Sequence, residues 1–261
     1  MTTQQTTSSI LVTRAGPVTT ITINRPHARN ALDAEALARL GEALDAFDRD
    51  ADAAVGVLTG AGAGFCAGAD LKAIATAQTY TAWAGDLTGM LGAPRSKPII
   101  AAVSGHAVAG GLGVALYCDI RIADETAVFG VFCRRFGVPM SDGTTVRLPR
   151  LIGESRAMDM MLTGRGVDAL EAREMGLVRE VVTAGEALTQ AQALARDIAA
   201  FPPLAMRSDR ESLLAAHGLP LEAALRQEAQ LAETAKHKEA AAGASRFSSG
   251  SDRHGTVTKD T

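Results

Sequence analysis

Three cysteines, two tyrosines and a single tryptophan are all that 261 residues carry of those types. Cys66, Cys118 and Cys133 are odd in number, far apart and set in apolar or glycine-rich surroundings. They therefore exclude a disulfide framework and a CxxC-type metal site and read as buried thiols, which fits a reducing, cytoplasmic setting. The five histidines show no ligand spacing with them, so no metal is expected. No run approaches the roughly 18 apolar residues of a membrane span, and the opening MTTQQTTSS has neither an apolar signal core nor an arginine-rich transit composition. An excess of one charge is also missing. A formal net charge of −3 and an isoelectric point near 6.0 give no global pull toward nucleic acid or an anionic membrane. Internal repeats are not visible.

What is there is a soluble-globular composition, 47% hydrophobic and 21% charged, long enough for a large core. Residues 10–13 and 18–24 alternate apolar and polar around Ala15-Gly16-Pro17, a hairpin signal. After the loop RPHARNAL, Asp33 is placed to cap a helix whose buried face is Leu37, Leu40, Leu44 and Phe47. Strands follow at 55–58, 99–103 and 119–123, with a helix at 110–117 and a less readable helix somewhere in 73–95. Strand and helix in alternation predict a mainly parallel, helix-covered sheet. From Thr144 the pattern turns helical, interrupted by a short strand in VREVV, with helices near 186–200, 203–216 and 220–240. Leu188, Ala191, Leu194 and Ile198 share one face. The expected division is an α/β core over 8–200, a helical oligomerisation region over 201–250 and a polar, disordered tail over 251–261.

Two glycine-rich stretches stand out. In SGHAVAGGLGVALYCD (104–119) a buried strand breaks at small residues before a helix, so a backbone N–H at the helix mouth can approach a ligand oxygen with the helix dipole behind it. The same Gly110 and Gly111 would equally suit close helix packing. The second stretch, TGAGAGFCAGAD (59–70), is a loop of the same backbone-exposing kind. His106 reads as a structural residue in a core-facing turn, and His254 lies in the tail; neither forms a triad with a serine.

With GFCAGAD (64–70) and 104–119 both in view, the sequence resembles the crotonase, or enoyl-CoA hydratase/isomerase, family. ITINRPHARNAL, KPIIAAVSGHAVAGG, CDIRIAD, FGV, RLPRLIG, LTGR and GLV support it in order and spacing over about residues 8–250. The resemblance implies a spiral of ββα units with a C-terminal helical trimerisation region, a homotrimer or dimer of trimers, and an acyl-CoA thioester as substrate. Coenzyme A then enters as part of the substrate and no separate cofactor is expected. It also implies that the backbone N–H groups of Ala69 and Gly110 form an oxyanion hole. Each such donor is typically worth about 3 to 4 kcal/mol of transition-state stabilisation. Coenzyme A would lie along Ala28–Ala31 and Ala67–Lys72 (Ala28, Ala31, Ala67, Asp70, Leu71, Lys72), with Lys72 toward phosphate and Phe247 reaching a neighbouring subunit's ligand.

The departure from the family pattern matters as much. The two hydratase glutamates fall on Gly113 and Cys133, so the usual general base and acid are missing, each such role being worth about 10²- to 10⁴-fold. Asp142, in GVPMSDGT, aligns within one residue of a place where other members keep a working aspartate, and is the candidate acid/base; it also suits an N-cap for a helix starting near Thr144. Cys133 is either a thiol activated by Arg134 and Arg135 or an inert wall. Those arginines would pair with a substrate carboxylate or with Asp124 and Glu125, or form surface or subunit salt bridges. The expected activity is thus enolate stabilisation by a lyase or isomerase of fatty acid metabolism type, with ordinary hydration disfavoured. The alternative is a catalytically silent CoA-ester binder or scaffold.

Overall fold

Gly16, at φ +58, reverses the chain between β1 (Ile10–Ala15) and β2 (Val18–Ile23), which pair antiparallel from Ile10↔Ile23 to Ala15↔Val18. The computed structural model describes residues 8–77, 81–85 and 87–250; the opening residues 1–7 and the tail 251–261, with His254, lie outside the described residues. Asp33 caps α1 (Ala34–Arg49) as expected, its carboxylate accepting from the Ala36 N–H at 2.8 Å. The helix buries Ala36, Leu40, Leu44 and Phe47, with Leu37 at the margin.

β3 (Val55–Gly60), β4 (Ile99–Val103), β6 (Ile120–Asp124) and β9 (Glu180–Val182) continue from β2, all parallel, in the order β1-β2-β3-β4-β6-β9. Alternate residues serve two cores, as the period of a strand requires. Ile21, Leu58, Ala101 and Val103 face the side of α1, whereas Val18, Val57, Ile100 and Ile122 pack on α7 (Ala187–Ala199). The small Ala187, Ala191 and Ala195 are the buried centre of α7, flanked by Leu188, Leu194 and Ile198.

A second sheet, β5 (His106–Val108), β7 (Val128–Gly130) and β8 (Gly166–Asp168), has no signature in the sequence, because three-residue strands are too short to alternate visibly. His106 accordingly stands exposed on β5 and does not turn into the core. From β4 onward the chain runs from the large sheet to the small one and then into a helix: β4, β5, α3 (Gly110–Tyr117), then β6, β7 and, after a 3₁₀ turn at Phe132–Phe136, α4 (Thr144–Ile152). These are ββα turns. α5 (Glu154–Thr163) follows across Gly153 at φ +82, and α6 (Ala169–Glu174) after β8, a helix that sequence reading missed.

The helix expected somewhere in 73–95 reaches only into its first residues. In 73–95 only α2 (Leu71–Ala77) is helical, and among the described residues the rest is irregular. Gly85 at φ +54 and Leu87 at φ +79 break helical geometry, and the Leu91 N–H to Trp83 carbonyl bond (2.8 Å) closes a compact turn. At the C-terminal end α8 (Pro203–Ala215) packs on α9 (Leu221–Ala235), which runs through a π turn into α10 (Ala241–Ser248). Ser208 and Ala235 are the only buried residues described in these three helices, and leucines such as Leu213 and Leu221 stand exposed. Among the described residues, no helix is long and apolar enough to cross a membrane.

Gly111 sits where α3 meets the 59–70 loop. A methyl group there would stand 2.0 Å from the Cys66 carbonyl oxygen, a backbone atom that cannot rotate away. Overpacking of a core contact costs about 1 to 3 kcal/mol, more when only backbone can yield. Gly111→Ala is therefore expected to lose about 3 kcal/mol in urea denaturation; an unchanged midpoint would contradict the packing role.

Candidate active site

The 59–70 loop is shaped from a distance by Asn30. This residue holds φ +56 and is buried, accepts from the Arg25 N–H (2.9 Å), and donates to the carbonyls of Ala61 (2.9 Å) and Gly64 (2.6 Å). Neighbouring rungs run from Leu32 N–H to Gly68 O (2.8 Å), Ala67 N–H to Arg29 O (3.1 Å) and Asp70 N–H to Leu32 O (2.9 Å). Arg25 joins the two stretches further. It bonds the Ala31 carbonyl and pairs with Asp33 at 2.6 Å and Asp70 at 3.3 Å.

This zipper engages the N–H groups of Ala67 and Asp70, and the Gly68 N–H turns to Cys66 Sγ (3.4 Å), whereas the Ala69 N–H has no acceptor among the described residues. Ala109 takes φ +51 as the residue before α3, and the Gly110 N–H, first in the helix, is likewise without an acceptor among the described residues. Gly68, the residue before Ala69, lies against this amide: a methyl group on Gly68 would lie 2.7 Å from the Gly110 nitrogen. On its other side Gly110 is covered by the buried Trp83 indole, whose Cζ3 would be 2.6 Å from an added methyl.

Ala69 and Gly110 line a cavity of about 80 Å³ together with Ala67, Leu71, Cys133 and Asp142. Ala69 also borders a second cavity of about 430 Å³ between α1, α2 and the 81–90 segment, with Leu37, Ile74, Trp83 and Met90 in its apolar wall. Asp142 is only 3% exposed and its Oδ1 accepts from the Thr144 N–H at 3.0 Å. Burial pushes its carboxyl pKa up, against the opposing pull of the Thr144 bonds and of the Arg147 guanidinium. The capping position of α4 itself belongs to Gly143 at φ +85, so Asp142 serves the helix from one residue further out.

Cys133 is a wall. It lies 3.0 Å from Met140 Sδ, and burial raises its thiol pKa despite the nearby Arg134, so it is not the activated thiol that two adjacent arginines suggested. Arg134 donates to Met161 O (3.2 Å), while Arg135 donates to Gly164 O (2.8 Å) and stacks 3.9 Å over the Phe132 ring. Neither reaches Asp124 or Glu125; Asp124 is held by Ser104, Thr126 and the Gly185 N–H. Asp70 has a structural task at the start of α2, accepting from Lys72 N–H (3.1 Å) and Ala73 N–H (3.4 Å) while facing Arg25. Ala28, Ala31, Lys72 and the exposed Phe247 line neither cavity, and Gly113 is buried inside α3.

Arg25, Asn30, Trp83 and Arg147 escaped the sequence reading. Arg147 ties the Asp142 turn to the 81–92 segment, donating to the carbonyls of Asp142 (3.1 Å), Leu91 and Gly92 (3.4 Å), and the Ala84 N–H bonds Ser141 O at 2.9 Å. Their partners lie up to 56 residues away in the chain, beyond any local signal.

The sequence profile of the enoyl-CoA hydratase/isomerase family matches residues 13–252. The enoyl-CoA hydratase EchA19 of Mycobacterium tuberculosis is 40% identical over 228 residues, 85% of this chain and 86% of that protein. The 2,3-dehydroadipyl-CoA hydratase of Escherichia coli is 37% identical over 227 residues, 86% of this chain and 89% of its own. Among solved structures, enoyl-CoA hydratase EchA1 from Mycobacterium marinum superposes with a TM-score of 0.87 at 35% identity, covering 93% of this chain and 96% of that one.

A carboxyl whose pKa is higher in the fold than in the unfolded chain binds its proton more tightly when folded, so its contribution to stability falls as pH rises through that interval. Asp142→Asn keeps an oxygen for the Thr144 N–H and removes the buried charge. It is expected to raise the urea midpoint at neutral pH, with the gain vanishing once pH drops below the ordinary carboxylate range. A lowered midpoint at neutral pH would refute this.

Proposed function

The chain belongs to the enoyl-CoA hydratase/isomerase family, and from that premise we propose that it is an acyl-CoA enzyme in which Ala69 and Gly110 polarise the thioester carbonyl and Asp142 moves the proton. The observation that carries this reading is a pair of N–H groups, unpartnered among the described residues, lining one cavity with a buried carboxyl. Negative charge developing on the thioester oxygen would meet two preset donors, each worth about 3 to 4 kcal/mol, with no reorganisation at the moment of reaction. Asp142 as carboxylate takes the proton from the carbon next to the carbonyl. The C–H electron pair becomes the enolate double bond, and the oxygen carries the charge. Returning the proton to the same or another carbon of the acyl chain completes exchange or isomerisation. A pKa raised by burial suits both halves of that cycle.

Gly113 and Cys133 stand where the family's hydratases keep glutamates, so water addition in this chain has Asp142 as its one candidate proton carrier. Coenzyme A would follow Ala28–Ala31 and Ala67–Lys72, with the acyl group in the larger cavity and Phe247 supplied to a neighbouring subunit. The exposed apolar faces of the last helices support a homotrimer or dimer of trimers. A cytoplasmic location fits the buried thiols.

Two assays test the reading: α-deuteration of butyryl-CoA in D₂O followed by mass spectrometry, and hydration of crotonyl-CoA followed by absorbance. Asp142→Asn is expected to slow α-exchange about 10²- to 10⁴-fold while calorimetric affinity for the ester stays within about threefold. Tight ester binding with neither reaction in the parent protein would instead make it a silent binder, and exchange unaffected by the substitution would remove Asp142 from the mechanism.

A further inference from the structure

We propose that Gly113 is a positioning residue for Asp142, its missing side chain keeping open the space that the Asp142 carboxyl fills. This rests on the reading of Asp142 as the proton carrier.

Glycine inside a helix costs about 1 kcal/mol relative to alanine, so a glycine at the middle of α3 calls for a reason. Backbone conformation is not the reason: Gly113 is not among the residues of positive φ. Its neighbours Leu112, Val114, Ala115 and Leu116 are buried aliphatic side chains, and helix α3 is otherwise a continuous apolar cylinder. The three atoms nearest to a side chain at 113 all belong to one residue. A methyl group there would stand 2.4 Å from Cγ, 2.6 Å from Oδ2 and 2.8 Å from Cβ of Asp142.

The three glycines of α3 thus have three separate tasks. Gly110 lies against Trp83, Gly111 against the Cys66 backbone and Gly113 against Asp142. The carboxyl lies between the Gly113 backbone and the Thr144 N–H, whose bond it accepts at 3.0 Å. The other titratable groups acting on it are Arg147 of α4, Cys133 of the 3₁₀ turn and Cys66 of the 59–70 loop. A methyl at 113 drives the carboxyl out of its niche, toward the cavity or toward Arg147. Either move reduces its burial or brings a cation closer, and both pull its working pKa down.

The test uses four full-length proteins: parent, Gly113→Ala, Asp142→Gly and the double variant, since Asp142→Gly removes all three clashing atoms. In the parent background Gly113→Ala is expected to slow butyryl-CoA α-exchange by about tenfold or more and to move the acidic limb of its pH profile to lower pH. It should also lower the melting temperature, and that loss should disappear or reverse in the Asp142→Gly background. If Gly113→Ala alone does not fold, recovery of a folded protein by adding Asp142→Gly demonstrates the same coupling, and failure of the double variant to fold overturns it. Equal thermal losses in both backgrounds, or unchanged exchange with an unmoved pH profile, overturn the positioning role. Parent exchange and the Asp142→Asn variant report separately on the reading of Asp142 itself.

Discussion

The structure depends on one close backbone approach, that of the N-terminal turn of α3 to Cys66–Gly68. Cys66 donates to His106 O (2.9 Å) and accepts from the Val108 N–H (3.1 Å), which binds the loop to β5 as an isolated bridge. One turn later Gly111 lies on the same Cys66 carbonyl and Gly110 beside Gly68, at distances no side chain would permit. Hydrogen-bonded rungs set the register of the loop, and absent β-carbons set its distance from the helix. The result leaves two half-buried N–H groups without acceptors among the described residues, at the edge of a cavity. Their idleness is produced by the packing and not by disorder in it.

Burial of Asp142 opposes that economy. A carboxyl that is 3% exposed loses most of its hydration, and one backbone N–H plus a guanidinium bonded to its own carbonyl compensate only in part, as the raised pKa indicates. The remaining cost is carried by the surrounding core, which runs unbroken from α1 through the parallel strands to α5. Cys66 and Cys118 show the ordinary outcome of such surroundings: burial holds both thiols neutral, the former up at about 12. Asp142 differs because its neighbours include the cavity.

Long elements were legible in the chain and short ones were not. Asp33, the Leu40, Leu44 and Phe47 spacing and the apolar strand 99–103 placed α1 and β4 correctly, because period and capping act within a few residues. The second sheet escaped because three-residue strands such as β5 and β8 carry no period, and the ββα repetition lies in the path of the chain and not in any repeated sequence. The oxyanion candidates were found through local glycine patterns and a family resemblance. Asn30 was read only as part of a loop, since its amide partners lie 31 and 34 residues on. Arg134 and Arg135 left Cys133 open from sequence, as an activated thiol or an inert wall; the folded chain settles it by sending both guanidinium groups to carbonyls on α5 and the turn after it.

Where a carboxylate is mounted decides what it moves with. One carried on α3 would be held by a helix buried on every side and would share the rigidity of the Gly110 N–H. Asp142 is carried on the turn before α4, and that turn is bonded through Ser141 and Arg147 to residues 84, 91 and 92. The same 81–92 segment supplies Trp83 and Met90 to the wall of the larger cavity, and Trp83 covers Gly110. Asp142, Gly110 and the wall of the larger cavity are therefore joined by direct contacts over a short path. Under the proposed mechanism, the geometry at the reacting carbons would therefore depend on how the larger cavity is filled, a coupling that a helix-borne carboxylate would lack.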